Sequence, residues 1–491
     1  MLSVISSSFA ANCRFFSNST LGYACQLSNA NVILETDAID IIGIHLSGKT
    51  NSDVEYLTVS SSVVLNYIPR RIFETFPNLK VLELDNVGLK EIKLGTFFNC
   101  PQLTRLFLNK NSIQRIPSRT FQSCAGLKDI RIFGNKIDVV EEDAFVGVPG
   151  LEVLDLGENK INSLTQRTLQ PLTELLSLRF ATNSLTSLPQ NIFQYQTKLQ
   201  KLFLQENSIV QFPANFFDLL VNLNVLIISD NFITSIPATL FSKLTKLTNL
   251  QLQGNQITSI ESTTFLTLTN LQILDLQLNK ITTFHPATFA ALTKLTLLNL
   301  SFNPFSILAP ELFRYNVALE ILGLIDNNIR SIPNSFQTLV NLKDLYLNSN
   351  GFSELPNNTF TANVKLEKLV LSGNQLTTIH TGLFLANRLL MTLFINDNNI
   401  ISMERNVFSA LPSLLVVFAS GNLCVNRDFI YIDPTIVRNG FATCFYNYDG
   451  LENPADPSTT STTTQGASSV FSSTVFKVLA SALAFMIFLL K

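Results

Sequence analysis

The 491-residue sequence predicts an α/β repeat solenoid, a horseshoe with a concave parallel β-sheet and an irregular or 3-10 convex side. Three observations predict it: a motif that returns every 24 residues, alternating apolar residues inside that motif, and an excess of Phe that the repeat explains. The formal charge of −2 argues against a nucleic-acid partner, which needs a concentrated basic surface.

The repeat is a row of the form LxxLxLxxN, as in LTRLFLNKN from Leu103 and LEKLVLSGN from Leu366. Fifteen rows begin at positions from Leu79 to Leu414, and their spacing is 24 residues with one interval of 23. A degenerate additional row is expected to start near Val54. Within LxL the alternation is that of a strand, so the leucines point inward and the intervening residues face out. Each row needs its neighbours to cover its apolar face.

Two further columns support the same rows. A Phe column runs from Phe73 to Phe408 with one exception, Leu169, and an Asn column runs from Asn111 to Asn422. The Asn amides are expected to hydrogen-bond the backbone of the turns that follow the strands, because an amide both donates and accepts. The Phe rings are expected to stack on the far side of the core and, as larger spacers, to bend the array toward the sheet.

This pattern resembles the typical extracellular leucine-rich repeat over residues 55–422. The resemblance implies a curved solenoid with a cysteine-bearing cap at each end, here with Cys13 bonded to Cys25 and Cys424 bonded to Cys444. The expected organisation is a weak or truncated signal peptide at 1–11, an N-terminal cap at 12–54, the repeats, a short C-terminal cap at 423–450, a Ser/Thr/Pro-rich stalk at 451–466 and a lipid-attachment signal with a hydrophobic tail at 467–491.

Two cysteines inside the array leave two readings open. Cys100 and Cys124 occupy the same column one row apart, at a separation that a disulfide accepts. Alternatively they are two small buried apolar residues, since Leu fills this column in other rows.

The C-terminal segment resembles a glycosylphosphatidylinositol (GPI) attachment signal. Small residues are followed by a polar spacer, 469–477, and an apolar tail, 478–490. Gly466 is the preferred attachment residue, with Ser468 and Ser469 as alternatives. Localisation on the outer face of the plasma membrane follows, and the alternative is a short single-pass transmembrane helix.

Three Asn-x-Ser/Thr sequons are candidates for N-glycosylation: Asn18, Asn299 and Asn357. Asn18 lies in the N-terminal cap, and Asn357 lies in a loop after a strand. Asn299 is expected in an outward-facing strand position, where a glycan would cover the middle of the concave face.

Outward-facing strand positions are the candidates for binding a partner, because Arg and aromatic side chains are enriched in interaction hot spots. The candidates are Arg105, Phe107, Asp129, Arg131, Asp155, Arg179, Lys201, Phe203, Tyr346 and Phe394. The alternative is that these residues are only the solvated face of a sheet.

No catalytic motif, metal-ligand spacing or cofactor-binding motif occurs, so the sequence predicts a non-enzymatic protein without a catalytic, cofactor or metal site. The architecture resembles that of lipid-anchored insect adhesion proteins such as chaoptin and connectin, and that of Toll-like receptor ectodomains. The resemblance implies adhesion or ligand recognition through a protein ligand, a cell-surface receptor or a second copy. The alternatives are an innate-immune receptor or co-receptor for microbial or carbohydrate ligands, and a structural component of a matrix or coat.

Overall fold

The computed structural model describes residues 9–29, 31–32, 39–60, 63–69, 71–332, 334–430, 437 and 439–450. The predicted stalk, the attachment signal with Gly466, Ser468 and Ser469, and residues 1–8 of the predicted signal peptide lie outside the described residues. Within the described part, one sheet of 20 strands runs along the whole array. The structure is a solenoid with little helix, as the sequence predicts.

Each repeat contributes one short strand, and successive strands pair in parallel without a change of register from row to row. The degenerate first row is present as a longer strand. The repeat strands are Val54–Val59, Val81–Glu83, Arg105–Phe107, Asp129–Arg131, Val153–Asp155, Ser177–Arg179, Lys201–Phe203, Val225–Ile227, Asn249–Gln251, Ile273–Asp275, Leu297–Asn299, Ile321–Gly323, Asp344–Tyr346, Lys368–Val370, Thr392–Phe394 and Val416–Phe418.

The other elements belong to the caps and the convex side. The remaining strands are Phe9–Asn18, Gly22–Ser28, Asn31–Val32, Ile39–Ile42, Val64–Leu65, Arg115–Ile116, Val139–Val140, Thr378–Ile379, Ser402–Met403 and Phe429–Ile430. The helical segments with defined bounds are short: the 3-10 turns Asn51–Asp53, Thr381–Phe384 and Phe408–Ala410, and the α-helices Ile72–Thr75 and Ala442–Asp449.

Stacked Phe rings fill the convex side of the core. Ring centroids in neighbouring rows are 5.3 Å apart at Phe97 and Phe121 and 6.5 Å apart at Phe313 and Phe336. Paired strands are separated by only about 4.8 Å. The convex side of each row is therefore wider than the strand side, and this difference curves the array toward the sheet.

The Asn column holds the turns together. In Asn231, Nδ2 donates to three carbonyl oxygens at 2.9–3.3 Å, and Oδ1 accepts a hydrogen bond from the backbone amide of Ile209 in the preceding row. The row that has Val87 in place of Asn is supported from the next row. There, Oδ1 of Asn111 accepts hydrogen bonds from the backbone amides of Val87, Gly88 and Leu89.

Caps close both ends of the core, and each contains a disulfide. Cys13 is bonded to Cys25 across the antiparallel N-terminal hairpin, and Cys424 is bonded to Cys444 in the C-terminal helix. Phe441 is fully buried in the C-terminal cap. Its ring lies 4.8 Å from that of Phe408 and 4.9 Å from that of Phe429.

The two cysteines inside the array are also bonded. Cys100 and Cys124 form a disulfide with a Cα–Cα distance of 4.7 Å, so their common column does place them one row apart. No helix among the described residues is long and apolar enough to span a bilayer.

Candidate functional site

Five of the predicted partner-binding residues form a ladder across five consecutive strands of the concave face. The strand register places Arg131 between Phe107 and Asp155, and Arg179 between Asp155 and Phe203. The order across the sheet is therefore Phe, Arg, Asp, Arg, Phe, and we call these five residues the concave ladder. Residues in register on neighbouring strands interact directly, so the ladder is a set of contacting pairs.

Each arginine of the ladder lies over a phenylalanine. The guanidinium carbon of Arg131 is 5.4 Å from the centre of the Phe107 ring, and that of Arg179 is 3.9 Å from the centre of the Phe203 ring. Such cation–π contacts contribute about 0.5–1 kcal/mol at exposed sites. At Arg179 the ring positions an exposed cation that makes no hydrogen bond to any described carboxylate.

The carboxylates of this region interact with the arginines unequally. Asp129, on the same strand as Arg131, accepts two hydrogen bonds from its guanidinium at 2.9 and 3.0 Å, and these bonds raise the pKa of Arg131. Asp155 lies between the arginines, and burial raises its pKa although hydrogen bonding and the arginines favour the charged form. Its Oδ1 accepts a hydrogen bond from the amide of Gly157 at 3.0 Å.

A cavity of about 380 Å³ opens beside the ladder. The sequence prediction includes four of its lining residues: Arg131, Asp155, Arg179 and Lys201. It missed the other four, which give the cavity apolar and neutral polar walls: Val153, Leu176, Ser177 and Gln200. The remaining predicted residue of this region, Arg105, is exposed one row before Asp129 and in register with it.

Two predicted contact residues are not exposed. Phe203 is 8% exposed because the guanidinium of Arg179 covers its ring, and Tyr346 is 5% exposed because it belongs to an apolar cluster with Leu297, Ile325 and Val370. The expectation that both rings are available to a partner is wrong. Phe203 instead supports Arg179, and burial raises the pKa of Tyr346.

The sequon at Asn299 is also buried. Asn299 is in register with Gly323, where an added Cβ would lie 2.5 Å from Oδ1 of Asn299, so the amide occupies the space that Gly323 leaves. Asn299 is 0% exposed, contrary to its expected position on an open surface, and a glycan does not fit there in the folded protein. The other two sequons are accessible: Asn18 is half-buried, and Asn357 is exposed.

Beside Asn299 lies a buried carboxyl that sequence reasoning did not single out. Asp275 is in register with Asn299 and is 0% exposed. Burial raises the pKa of Asp275 to about 7, even though Oδ1 accepts a hydrogen bond from the Gln277 amide at 3.0 Å. The alternation of the strand places Asp275 on the concave face, but only the packing of neighbouring rows shows that it is desolvated.

The last predicted residue, Phe394, is separated from the ladder by many rows. Its half-buried ring stacks on that of Phe418 with centroids 4.4 Å apart, and Nζ of Lys368 lies 6.0 Å from the Phe394 ring. The concave face thus has a charged N-terminal half and a largely apolar C-terminal half. Within the described ranges, no group of three or more His, Cys, Asp or Glu residues is arranged to hold a metal ion.

The regular rows match the profile of a known protein family. The profile of the family described as leucine rich repeat matches residues 77–137, 125–180, 221–262, 245–305 and 364–423, which together make up half of the chain. The chain belongs to the leucine-rich repeat family. A search of curated protein sequences found no match.

Solved leucine-rich repeat structures share the fold. A leucine-rich repeat protein of Leptospira interrogans aligns with a TM-score of 0.65 at 24% identity, covering 75% of this chain and 96% of that protein. TLR13 in complex with ssRNA13 aligns with a TM-score of 0.63 at 22% identity, covering 81% of this chain and 63% of TLR13.

Toll in the Drosophila Toll–Spatzle complex aligns with a TM-score of 0.62 at 18% identity, covering 82% of this chain and 65% of Toll. This leucine-rich repeat chain therefore spans less than two thirds of either receptor chain. At these identities the likeness concerns the fold, which is typically a binding scaffold and not an enzyme.

Proposed function

We propose that the protein is an extracellular recognition or adhesion protein that binds a protein partner through the concave ladder. The observation that supports this most strongly is the ladder itself, in which two exposed arginines lie over aromatic rings on one continuous sheet. Arg and aromatic residues are the side chains most enriched in binding hot spots. The fold is also that of receptors solved with ligands, Toll with Spatzle and TLR13 with RNA.

A protein partner fits this surface better than a nucleic acid. Arg131 is paired with Asp129, and Arg179 faces Asp155, so positive and negative groups alternate over short distances. A nucleic-acid site requires a surface of one sign that neutralises many phosphates. Alternating charges instead provide orientation and specificity toward a partner with a complementary pattern.

An extracellular location is supported by the use of all six cysteines in disulfides, because such bonds persist in oxidising compartments. The Ser/Thr/Pro-rich segment 451–466 and the apolar segment 478–490 support display of the repeats on a stalk with a GPI anchor. With a lipid anchor, the protein would communicate with the cell interior through a second membrane protein.

The test is a cell-binding assay with the full chain. Cells that do not normally aggregate are made to express it, and their binding to one another and to untransfected cells is counted. Combining Arg131→Glu with Phe107→Ala is expected to abolish binding while the repeats stay folded. The control combines Arg167→Glu with Tyr195→Ala, an exposed Arg and Tyr outside the concave face, and is expected to bind normally. Equal binding by both variants would overturn the proposal.

A further inference from the structure

We propose that Arg179 and Lys201 form a subsite for a carboxylate side chain, so that the partner presents an acidic peptide segment to the concave face. This inference rests on the proposed function and specifies the chemistry of its ligand. It follows from an asymmetry within the ladder: the two arginines hold equivalent positions, but only Arg131 donates hydrogen bonds to a described carboxylate.

The Arg131 half of the ladder already holds a carboxylate. The Nε and Nη2 atoms of Arg131 donate to the two carboxylate oxygens of Asp129 at 3.0 and 2.9 Å, in the bidentate geometry that Arg and carboxylate prefer. A ligand carboxylate would have to compete with Asp129 for this guanidinium.

The Arg179 half is open. The Nε atom of Arg179 is 4.0 Å from Oδ2 of Asp155, beyond hydrogen-bond distance, and Phe203 occupies one face of the guanidinium. Among the described residues, none receives a hydrogen bond from the terminal nitrogens of Arg179, and Arg179 lines the cavity. Because Arg179 lies on a ring, its planar donor group is positioned before a ligand arrives.

Lys201 adds a second cation to the same cavity. It is exposed, lies on the strand next to Arg179, and has no ion pair with any described residue. Since Asp129 neutralises Arg131 and Asp155 is the sole carboxylate in the cavity lining, one positive charge remains without a counter-charge. A ligand anion would supply it.

The walls of the cavity favour an acidic side chain carried by a peptide. Val153 and Leu176 offer apolar contacts to the methylene groups of a glutamate, and the neutral donors of Ser177 and Gln200 lie on the same lining. A basic ligand group is disfavoured because Oδ1 of Asp155 already accepts the Gly157 amide and both flanking arginines repel cations.

The direct test is fluorescence anisotropy with the purified full-length chain and a labelled hexaglutamate peptide, with hexaglutamine as the neutral probe. Hexaglutamate is expected to bind, with affinity falling as salt is raised, and hexaglutamine is not. We expect Arg179→Gln and Lys201→Gln each to weaken hexaglutamate binding about ten-fold. Arg179→Lys keeps the charge but not the fork and should give an intermediate loss.

The matched control is Lys198→Gln. It removes the same charge nearby, but Nζ of Lys198 is paired with Glu174 at 2.6 Å, and its binding should stay within about two-fold of the wild type. Equal losses at Lys198 and Lys201, or equal binding of both peptides, would overturn the inference. If partner cells still bind and hexaglutamate does not, the carboxylate subsite fails and the proposed function stands. If hexaglutamate binds as expected but the concave double variant still binds cells, the proposed function fails and the subsite stands.

Discussion

The guanidinium of Arg179 covers the ring of Phe203, with 3.9 Å between the guanidinium carbon and the ring centre. The equivalent separation between Arg131 and Phe107 is 5.4 Å, and Arg131 is held by a carboxylate instead. The two arginines of the concave ladder are therefore positioned by different forces. One is fixed by an ion pair and the other by an aromatic surface, and only the second makes no hydrogen bond to a described carboxylate.

The Asn column should be essential for stability. Asn231→Ala removes three donated hydrogen bonds and the acceptor for the Ile209 amide, and it leaves buried backbone groups unpaired. We expect a loss of about 2–3 kcal/mol in the free energy of unfolding, measured by denaturant titration. Asn222→Ala removes a half-buried amide that donates to the Thr197 carbonyl and accepts from Nζ of Lys246, and it leaves no buried backbone amide unpaired, so it should cost less than about 1 kcal/mol. Equal losses for the two variants would contradict the structural role of the Asn column.

Asp275 should make stability decrease as the pH rises. Burial raises its pKa from 3.8 to about 7, so between these values the folded state binds the proton more tightly than the unfolded state. The stability associated with this group is highest below about pH 4 and is lost as the pH rises toward about 7, by at most about 4 kcal/mol. Asp275→Asn should remove this dependence. In urea titrations, the free energy of unfolding of the variant should therefore rise relative to that of the wild type between about pH 5 and about pH 8. If the stability of both proteins varied with pH in parallel, the raised pKa of Asp275 would be contradicted.

The disulfide between Cys100 and Cys124 should stabilise the repeats, although it is not part of either cap. Replacing both Cys100 and Cys124 with Ala removes a cross-link over a separation of 24 residues. A loop of this length predicts a loss of about 3.5 kcal/mol in the free energy of unfolding. The measurement is denaturant unfolding under oxidising conditions, where the two cap disulfides remain. A change below about 0.5 kcal/mol would indicate that the bond constrains nothing.

The C-terminal prediction is tested on intact cells. Phosphatidylinositol-specific phospholipase C should release the protein into the medium if the anchor is glycosylphosphatidylinositol. Replacing residues 467–491 with a transmembrane helix provides the control, since that protein should stay on the cells. Retention of the unaltered chain after treatment would favour the single-pass alternative.

The fold could be predicted from the sequence because every row repeats the same physical requirement. The Leu, Phe and Asn columns each have a fixed place in the row, so the strand register and the amide ladder follow from spacing. The common column of Cys100 and Cys124 predicts their proximity in the same way, but only the structure shows that they are bonded.

Exposure within the sheet could not be predicted in that way. Alternation places Phe203, Tyr346 and Asn299 on the concave face, but it does not say which neighbour covers them. Arg179 covers the first, an apolar cluster surrounds the second, and the missing side chain of Gly323 admits the third into the interior. The order of the residues in the concave ladder, by contrast, follows from the sequence. The five residues hold the same outward-facing strand position in five successive rows.

Arginine labelling tests the central claim most directly. The full-length chain is treated with phenylglyoxal, alone and bound to the cell-surface partner it captures, and labelled arginines are quantified by mass spectrometry. We predict that the partner protects Arg105, Arg131 and Arg179, while Arg167 and Arg314 outside the concave face stay reactive. Protection of Arg167 and Arg314 with unchanged labelling of the concave arginines would contradict the account.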